Sequence, residues 1–326
     1  MQEYTQDIEK KLVISKKNWY NLYNAKFDEF QAMKRLRDGG KGLKIQLYIA
    51  GVRMEISSAL PLRAEKRWKL FETAFDDADL KYEICTAEYL PALEGENCFD
   101  SERVCVRNLH GRQVRTYYDL VSEEATATVE EVGTQSYRIT IRETLLPWGR
   151  DVADLFTQYG LPHCLPQFGK LLLHCAYVLY HGKAVLFTAP SGTGKTTQAM
   201  LWKKCCGSEI INGDRAAIGL ENGVAMAYGL PISGMSTDCK NVTAPVAAIV
   251  SLSQAKHNRA ARLSAKQTVR CLLSGTYLPK EFSADLPLLF DLAMSIGERV
   301  PVFHLECLPD EDAVNTLKPL IFPEEI

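Results

Sequence analysis

The chain has 326 residues, 46% of them hydrophobic and 24% charged, with a formal net charge of −2. That length can bury a core for one large or two modest domains, and the near-neutral charge gives no reason to expect nucleic acid or an anionic membrane surface as a partner. No apolar stretch is long enough to cross a membrane and no apolar core follows a basic start, so a cytoplasmic protein without a secretory signal is expected.

Residues 1–42 are charged and polar, with Trp19, Leu22, Tyr23, Phe27, Phe30 and Met33 mostly three or four apart. This spacing predicts an amphipathic helix over Lys16–Arg37, stopped by Gly39-Gly40. From Leu43 the period falls to two: Ile45, Leu47 and Ile49, then Val52, Met54 and Ile56 across Ala50-Gly51, predict a hairpin. A helix is predicted over Arg63–Ala74 and a strand over Lys81–Cys85. Further strands are predicted over Arg103–Leu109 and Gln113–Leu120, joined by His110-Gly111-Arg112, and over Ala125–Val132 and Ser136–Ile141. Residues 43–148 thus read as a small antiparallel β-rich domain without a catalytic cluster.

Residues 149–326 read as a second domain of mixed α/β type. Asp151–Leu173 is apolar and helical in stretches, broken by Pro162 and Pro166. Leu173–Tyr180 and Lys183–Thr188 are strand runs joined only by His181-Gly182, which predicts an antiparallel hairpin. Glu209–Asn212 is a short strand. Arg215–Leu220 and Val224–Tyr228 flank Glu221-Asn222-Gly223 as another hairpin. A strand over Ala247–Leu252, helices over Ser264–Leu273 and Leu286–Ile296, a strand over Val302–Leu305 and a helix over Asp310–Leu317 complete the chain.

The segment Ala189-Pro190-Ser191-Gly192-Thr193-Gly194-Lys195-Thr196-Thr197 follows a predicted strand and opens a predicted helix. It satisfies a relaxed P-loop pattern, with Ala189 in place of the first glycine. Gly192 and Gly194 let successive N–H groups point at one place, and the helix start adds positive potential. Lys195 brings a charge to the outer phosphates and Thr196 a hydroxyl to Mg²⁺. The expected ligand is a nucleoside triphosphate with Mg²⁺. ATP is expected, and GTP stays open because no base-reading motif is legible.

A triphosphate site also needs a carboxylate near the metal. Asp214 follows the Glu209–Asn212 strand and is the candidate, as a metal-side group and as a proton acceptor; a turn aspartate is the plainer reading of Asn-Gly-Asp. His174 lies on the strand before the loop strand, where a histidine could orient an acceptor or the γ-phosphate, or simply end a strand. The loop Gly229–Ser236 either covers the site or only connects two elements. Arg259, Arg262 and Lys266 could reach a phosphate, with surface charge the plainer reading. Of the ten cysteines none forms Cys-x-x-Cys, and Cys205-Cys206, His163-Cys164 and His174-Cys175 lack zinc-site spacing, so free and mostly buried thiols are expected.

Leu172–Val178, Gly182–Phe187, Ser191–Thr197 and Ile211–Arg215 together resemble the HPr serine kinase/phosphorylase-related proteins, whose nucleotide fold is shared with ATP-dependent phosphoenolpyruvate carboxykinase. The resemblance covers residues 165–275. It implies a mixed-sheet P-loop domain of that type beside a β-rich N-terminal domain, and gives His174 and Asp214 catalytic roles beside Lys195. It also likens Gly229–Ser236 to a Gly-Thr-Pro-Trp or Gly-Ser-Pro-Trp loop of relatives often encoded near peptide-modification genes, with Leu230 and Ile232 at two of those positions. Two adjacent aspartates are expected in the acidic motif, and Gly213 replaces the first. No separate signature for holding HPr is present, so an authentic HPr kinase is not expected. The implied activity is transfer of a γ-phosphate to a hydroxyl of a peptide, protein or small molecule. The alternative, favoured by Gly213, is a nucleotide-binding partner in a peptide-modification or regulatory complex. A carboxykinase ranks last, since no His, Lys and Arg cluster for a dicarboxylate is visible. Homo-oligomerisation is left open.

Overall fold

Four two-residue turns ending in glycine fold strands back on their predecessors: Ala50-Gly51, His110-Gly111, His181-Gly182 and Asn222-Gly223. Both residues of each have positive φ, as the type I′ turn of antiparallel hairpins requires. The computed structural model describes residues 43–58, 66–90, 94–120, 122–143, 160–232, 234, 238–277 and 286–325. The predicted helix over Lys16–Arg37 and the predicted domain boundary after residue 148 lie outside them. Contacts divide the chain into two compact units. One holds residues 81–143 with 55–58 and the start of the first strand; the other holds 160–325 with 46–54 and 66–80.

Among the described residues the first eight strands are β1 (Leu43–Ile49), β2 (Val52–Ser58), β3 (Leu80–Ala87), β4 (Glu96–Asp100), β5 (Val104–Leu109), β6 (Arg112–Tyr118), β7 (Ala125–Gly133) and β8 (Ser136–Arg142). They form one sheet in the order β1-β2-β3-β8-β7-β6-β5-β4. Alternation sets the faces: Ile45, Leu47 and Ile49, and then Val52, Met54 and Ile56, are buried. The expectation of a purely antiparallel domain is corrected. The meander from β4 to β8 ends with β8 beside β3 in parallel, and Tyr82 stacks on Tyr137 with ring centroids 5.3 Å apart. The predicted helix over Arg63–Ala74 is also corrected: a short 3-10 turn spans Lys66–Leu70, and Glu72 pairs with Leu47 in an isolated antiparallel bridge.

In the second unit, helix α1 (Leu161–Gln167) carries Pro162 in its first turn and keeps Pro166 inside, so the prolines do not break it as predicted. The strands are β9 (Lys170–Tyr180), β10 (Lys183–Thr188), β11 (Glu209–Asn212), β12 (Arg215–Glu221), β13 (Val224–Tyr228), β14 (Thr243–Gln254), β15 (Arg259–Arg262) and β16 (Val302–Cys307). The sheet runs β10-β9-β12-β13-β14-β16-β15, and β10 also pairs in parallel with β14. Five strands, β9, β12, β13, β14 and β10, therefore close a circuit of pairings. Strand β11 pairs with β9 and not with the loop strand β10.

Apart from Lys170 and His174, strand β9 is apolar, and both its faces are covered. Leu171, Leu173, Cys175 and Tyr177 enter one core with α3 (Ala265–Gly275) and α4 (Leu286–Gly297). Ala176, Val178 and Tyr180 enter the other with α2 (Lys195–Cys206) and α5 (Glu311–Ile321). Trp202 of α2 is fully buried, with the rings of Tyr180, Phe187 and Phe322 at 5.9, 5.8 and 6.4 Å. The protein is a mixed α/β, strand-rich molecule with two mixed sheets. Among the described residues no helix is long and apolar enough to cross a membrane. Of the ten cysteines only Cys164, Cys175 and Cys239 are buried, fewer than expected.

Candidate functional site

The parallel strands β10, β14 and β16 end at one edge of the second sheet, the edge where loops of α/β sheets commonly hold ligands. At that edge β10 passes into Ala189–Thr197. Gly192 has φ +78° and Gly194 φ +121°, backbone states that side chains resist, and nothing lies within 4 Å of where either would carry a Cβ. Thr193 N–H donates to Pro190 O at 3.3 Å, which tightens the loop. Gly194 then starts α2 without any side-chain cap, leaving the first-turn N–H groups to whatever occupies the edge. Ser191, Thr196 and Thr197 are exposed there.

Lys195 is buried and donates through Nζ to Ala189 O at 2.9 Å and Pro190 O at 3.2 Å. Burial holds its pKa below the ordinary lysine value, with Asp214 acting in opposition. The lysine thus rests on two carbonyls of its own loop, contacts it can exchange for a better acceptor.

On one flank stand His174 and Asp214. Register pairs Thr188 of β10 with Cys175 of β9, and His174 of β9 with Arg215 of β12. The neighbouring strands thereby bring His174 Nε2 to 3.6 Å from Asp214 Oδ1. Thr188 Oγ1 donates to His174 O at 3.0 Å and ties the strand ends together. Burial lowers the His174 pKa, Lys195 and Arg215 lower it further, and Asp214 pulls the other way. The lowered pKa favours the uncharged imidazole, the form that can accept a proton.

Asn212 places Asp214, a role the sequence did not disclose. It is fully buried, and its Oδ1 accepts from the N–H of Asp214 and of Arg215, each at 2.9 Å. Its Nδ2 donates to Leu230 O at 3.1 Å and Ile232 O at 2.6 Å. One amide, all its hydrogen-bonding positions used, thus fastens the Asp214 turn to the segment after β13. The Asn-Gly-Asp string signals the turn half of this clamp; the contact with Leu230 and Ile232, eighteen and twenty residues on, leaves no local trace. Gly234 lies against the Asp214 carboxylate, where a Cβ would come within 2.9 Å of its carbon. The Gly229–Ser236 loop therefore reaches the candidate site at Gly234; Ser233 and Ser236 lie outside the described residues.

On the other flank a cavity of about 340 Å³ is lined by Gly192, Thr193, Gly194, Thr197 and Gln198, and by Gln254, Ala255, Cys307, Leu308 and Pro309 from the ends of β14 and β16. In its lining Gln198 Nε2 donates to Cys307 Sγ at 3.4 Å. Sequence reasoning singled out none of Gln254, Cys307 and Arg215. Arg259, Arg262 and Lys266 are exposed, the first two on edge strand β15 and the third in the first turn of α3, and read as surface charge.

No family model and no curated protein matches this chain. Among solved structures, the HPr(Ser) kinase/phosphatase from Coxiella burnetii is similar at 13% identity and a TM-score of 0.29, over 48% of this chain and 99% of that one. A likeness of that size says nothing of what this protein does.

Proposed function

We propose that this protein is an ATP-dependent phosphotransferase that passes a γ-phosphate to a hydroxyl, with Ala189–Thr197 as its P-loop. The reading rests on one convergence: a loop bent by two positive-φ glycines, an uncapped helix start, a buried lysine and the Asp214–His174 pair meet at a single sheet edge. Phosphoryl transfer asks for positioning and charge more than covalent chemistry, which suits this inventory.

The residues also suit Mg²⁺. It prefers oxygen donors and keeps nucleotide oxygens and waters in its shell, so one carboxylate and one hydroxyl, Asp214 and Thr196, suffice from the protein. Among the described residues no group of three or more His, Cys, Asp or Glu stands ready to cage a metal, and Mg²⁺ needs none. When bound, Mg²⁺ would supply charge neutralisation at the phosphate oxygens. In this reading the loop N–H groups of 191–197 cradle phosphates, and Lys195 leaves the Ala189 and Pro190 carbonyls for a phosphate oxygen. His174, uncharged, takes the proton of the acceptor hydroxyl in place of the carboxylate that Gly213 cannot offer. The acceptor is a peptide or protein serine or a small molecule.

The test is transfer from γ-labelled ATP with Mg²⁺ to candidate hydroxyl acceptors, beginning with a peptide encoded beside this gene. Transfer should vanish in Lys195→Ala and Asp214→Asn; transfer that survives Lys195→Ala overturns the reading. Gly213 favours a second reading, a nucleotide-binding partner without transfer. Tight ATP binding with no turnover against any acceptor, and a stable protein partner, would select it.

A further inference from the structure

We infer that Arg215 is an anchor for an anionic group on the phosphate acceptor, so that the substrate is an acid-bearing hydroxyl compound and not a neutral one. The inference deepens the kinase reading and rests on it for the word acceptor. Arg215 opens β12 immediately after Asp214. Its Nε lies 3.1 Å from Asp214 Oδ2, and its guanidinium carbon sits 4.7 Å from the ring centroid of Tyr277. These two contacts hold the guanidinium plane from its inner edge and from one face. The terminal nitrogens have no hydrogen-bond partner among the described residues, although the side chain is only 22% exposed. A guanidinium fixed in this way, its outer fork open, matches a carboxylate or phosphate with two parallel N–H donors.

Position says which anion. Register sets Cys175 of β9 beside Thr188, the residue that feeds the glycine loop, and Arg215 of β12 beside His174 of β9. Arg215 is thus two strands from β10, about 10 Å at ordinary strand spacing. The nucleotide phosphates belong at the loop and at Lys195. His174 and Asp214 lie between, where the hydroxyl would react. An anion on Arg215 is then on the far side of the transfer point, on the molecule that receives the phosphate. The ring of Tyr277, 39% exposed, offers that molecule an apolar wall.

The experiment uses full-length protein with Mg²⁺ and ATP. It compares serine peptides of equal length whose neighbouring group is a carboxylate, a phosphate or a neutral amide. Labelling of the anionic peptides should be at least about tenfold faster than of the amide, the value of a charge-assisted hydrogen bond. The carboxylate and phosphate arms distinguish which anion is preferred. Arg215→Gln should erase the preference while leaving the ATP dissociation constant within about twofold, and Arg215→Lys should restore part of it. Equal labelling of neutral and anionic peptides, or a preference that persists in Arg215→Gln, overturns the anchor. If ATP binds but no peptide is labelled, the kinase reading fails separately. Fluorescence anisotropy of the same peptides on nucleotide-loaded protein then decides the anchor, which stands if anionic peptides alone bind and lose binding in Arg215→Gln, and falls otherwise.

Discussion

Lys170 and Lys195 are equally buried, 7% exposed each, and burial lowers the pKa of both, yet they are held in opposite ways. Lys170, at the start of β9, donates to the Tyr228 hydroxyl at 2.7 Å, and that hydroxyl donates to Glu221 Oε1 at 2.5 Å. Gly219 leaves room beneath it, since a Cβ there would strike Lys170 Cδ at 2.4 Å. Lys170 is enclosed by side chains that exist to receive it. Among the described residues Lys195 bonds to two carbonyls of its own loop, beside glycines with open space above them. Lys170 is satisfied by neighbouring side chains, whereas Lys195 rests on contacts that the proposed function requires it to leave.

The largest effect is expected at Lys195. Lys195→Ala should cut phosphate transfer by about 10²–10³-fold, as loss of one preorganised charge at a reacting centre does, while thermal unfolding stays near the parent. Labelling kinetics beside calorimetric melting separates the two. Next is Asn212→Ala, which strips partners from two N–H groups and two carbonyls. It should cost about 1–3 kcal/mol of stability and should also remove the Mg²⁺-dependent part of ATP affinity, because Asp214 loses its placement. ATP titrations with Mg²⁺ and with chelator test this; an unchanged Mg²⁺ effect would show that Asn212 serves only the fold.

Lys170→Met reverses the pattern seen at Lys195. It should destabilise by about 1–2 kcal/mol, softened because Glu221 is exposed to water, and leave ATP affinity unchanged. A loss of ATP binding there would dissolve the contrast. The smallest effect concerns His174. Its folded pKa is depressed, so the neutral, proton-accepting form persists as pH falls until that lowered value is reached. The acid limb of the transfer rate should therefore lie below the ordinary histidine value of 6.5. An NMR titration of the imidazole should give the same midpoint, moved lower still in Asp214→Asn, which removes the group that raises it, and higher in Lys195→Met.

Much of this was readable from the sequence where the cause is local. His181-Gly182 and Asn222-Gly223 announce their hairpins because positive φ at both positions selects such residues. The glycine loop is legible for the same reason. His174 and Asp214 could be named as candidates, and the strands do bring them together. What stayed hidden depends on distance or on weak patterning. Strands β4 (Glu-Asn-Cys-Phe-Asp) and β15 (Arg-Ala-Ala-Arg) lie at sheet edges and show no apolar alternation, so period gave no signal. The parallel pairings of β3 with β8 and of β10 with β14 join segments more than fifty residues apart. Arg215 reads as an ordinary strand residue until Tyr277, brought in by its N–H bond to Leu172 O, places a ring under it.

Whether the loop between β10 and α2 receives a nucleotide's phosphates is decided by calorimetric titration of folded protein with MgATP, run in parallel on Lys195→Ala. Saturable one-site binding by the parent, weakened at least about tenfold in the variant, is the predicted result. No uptake of ATP or GTP by the parent, or equal binding by the variant, would contradict it.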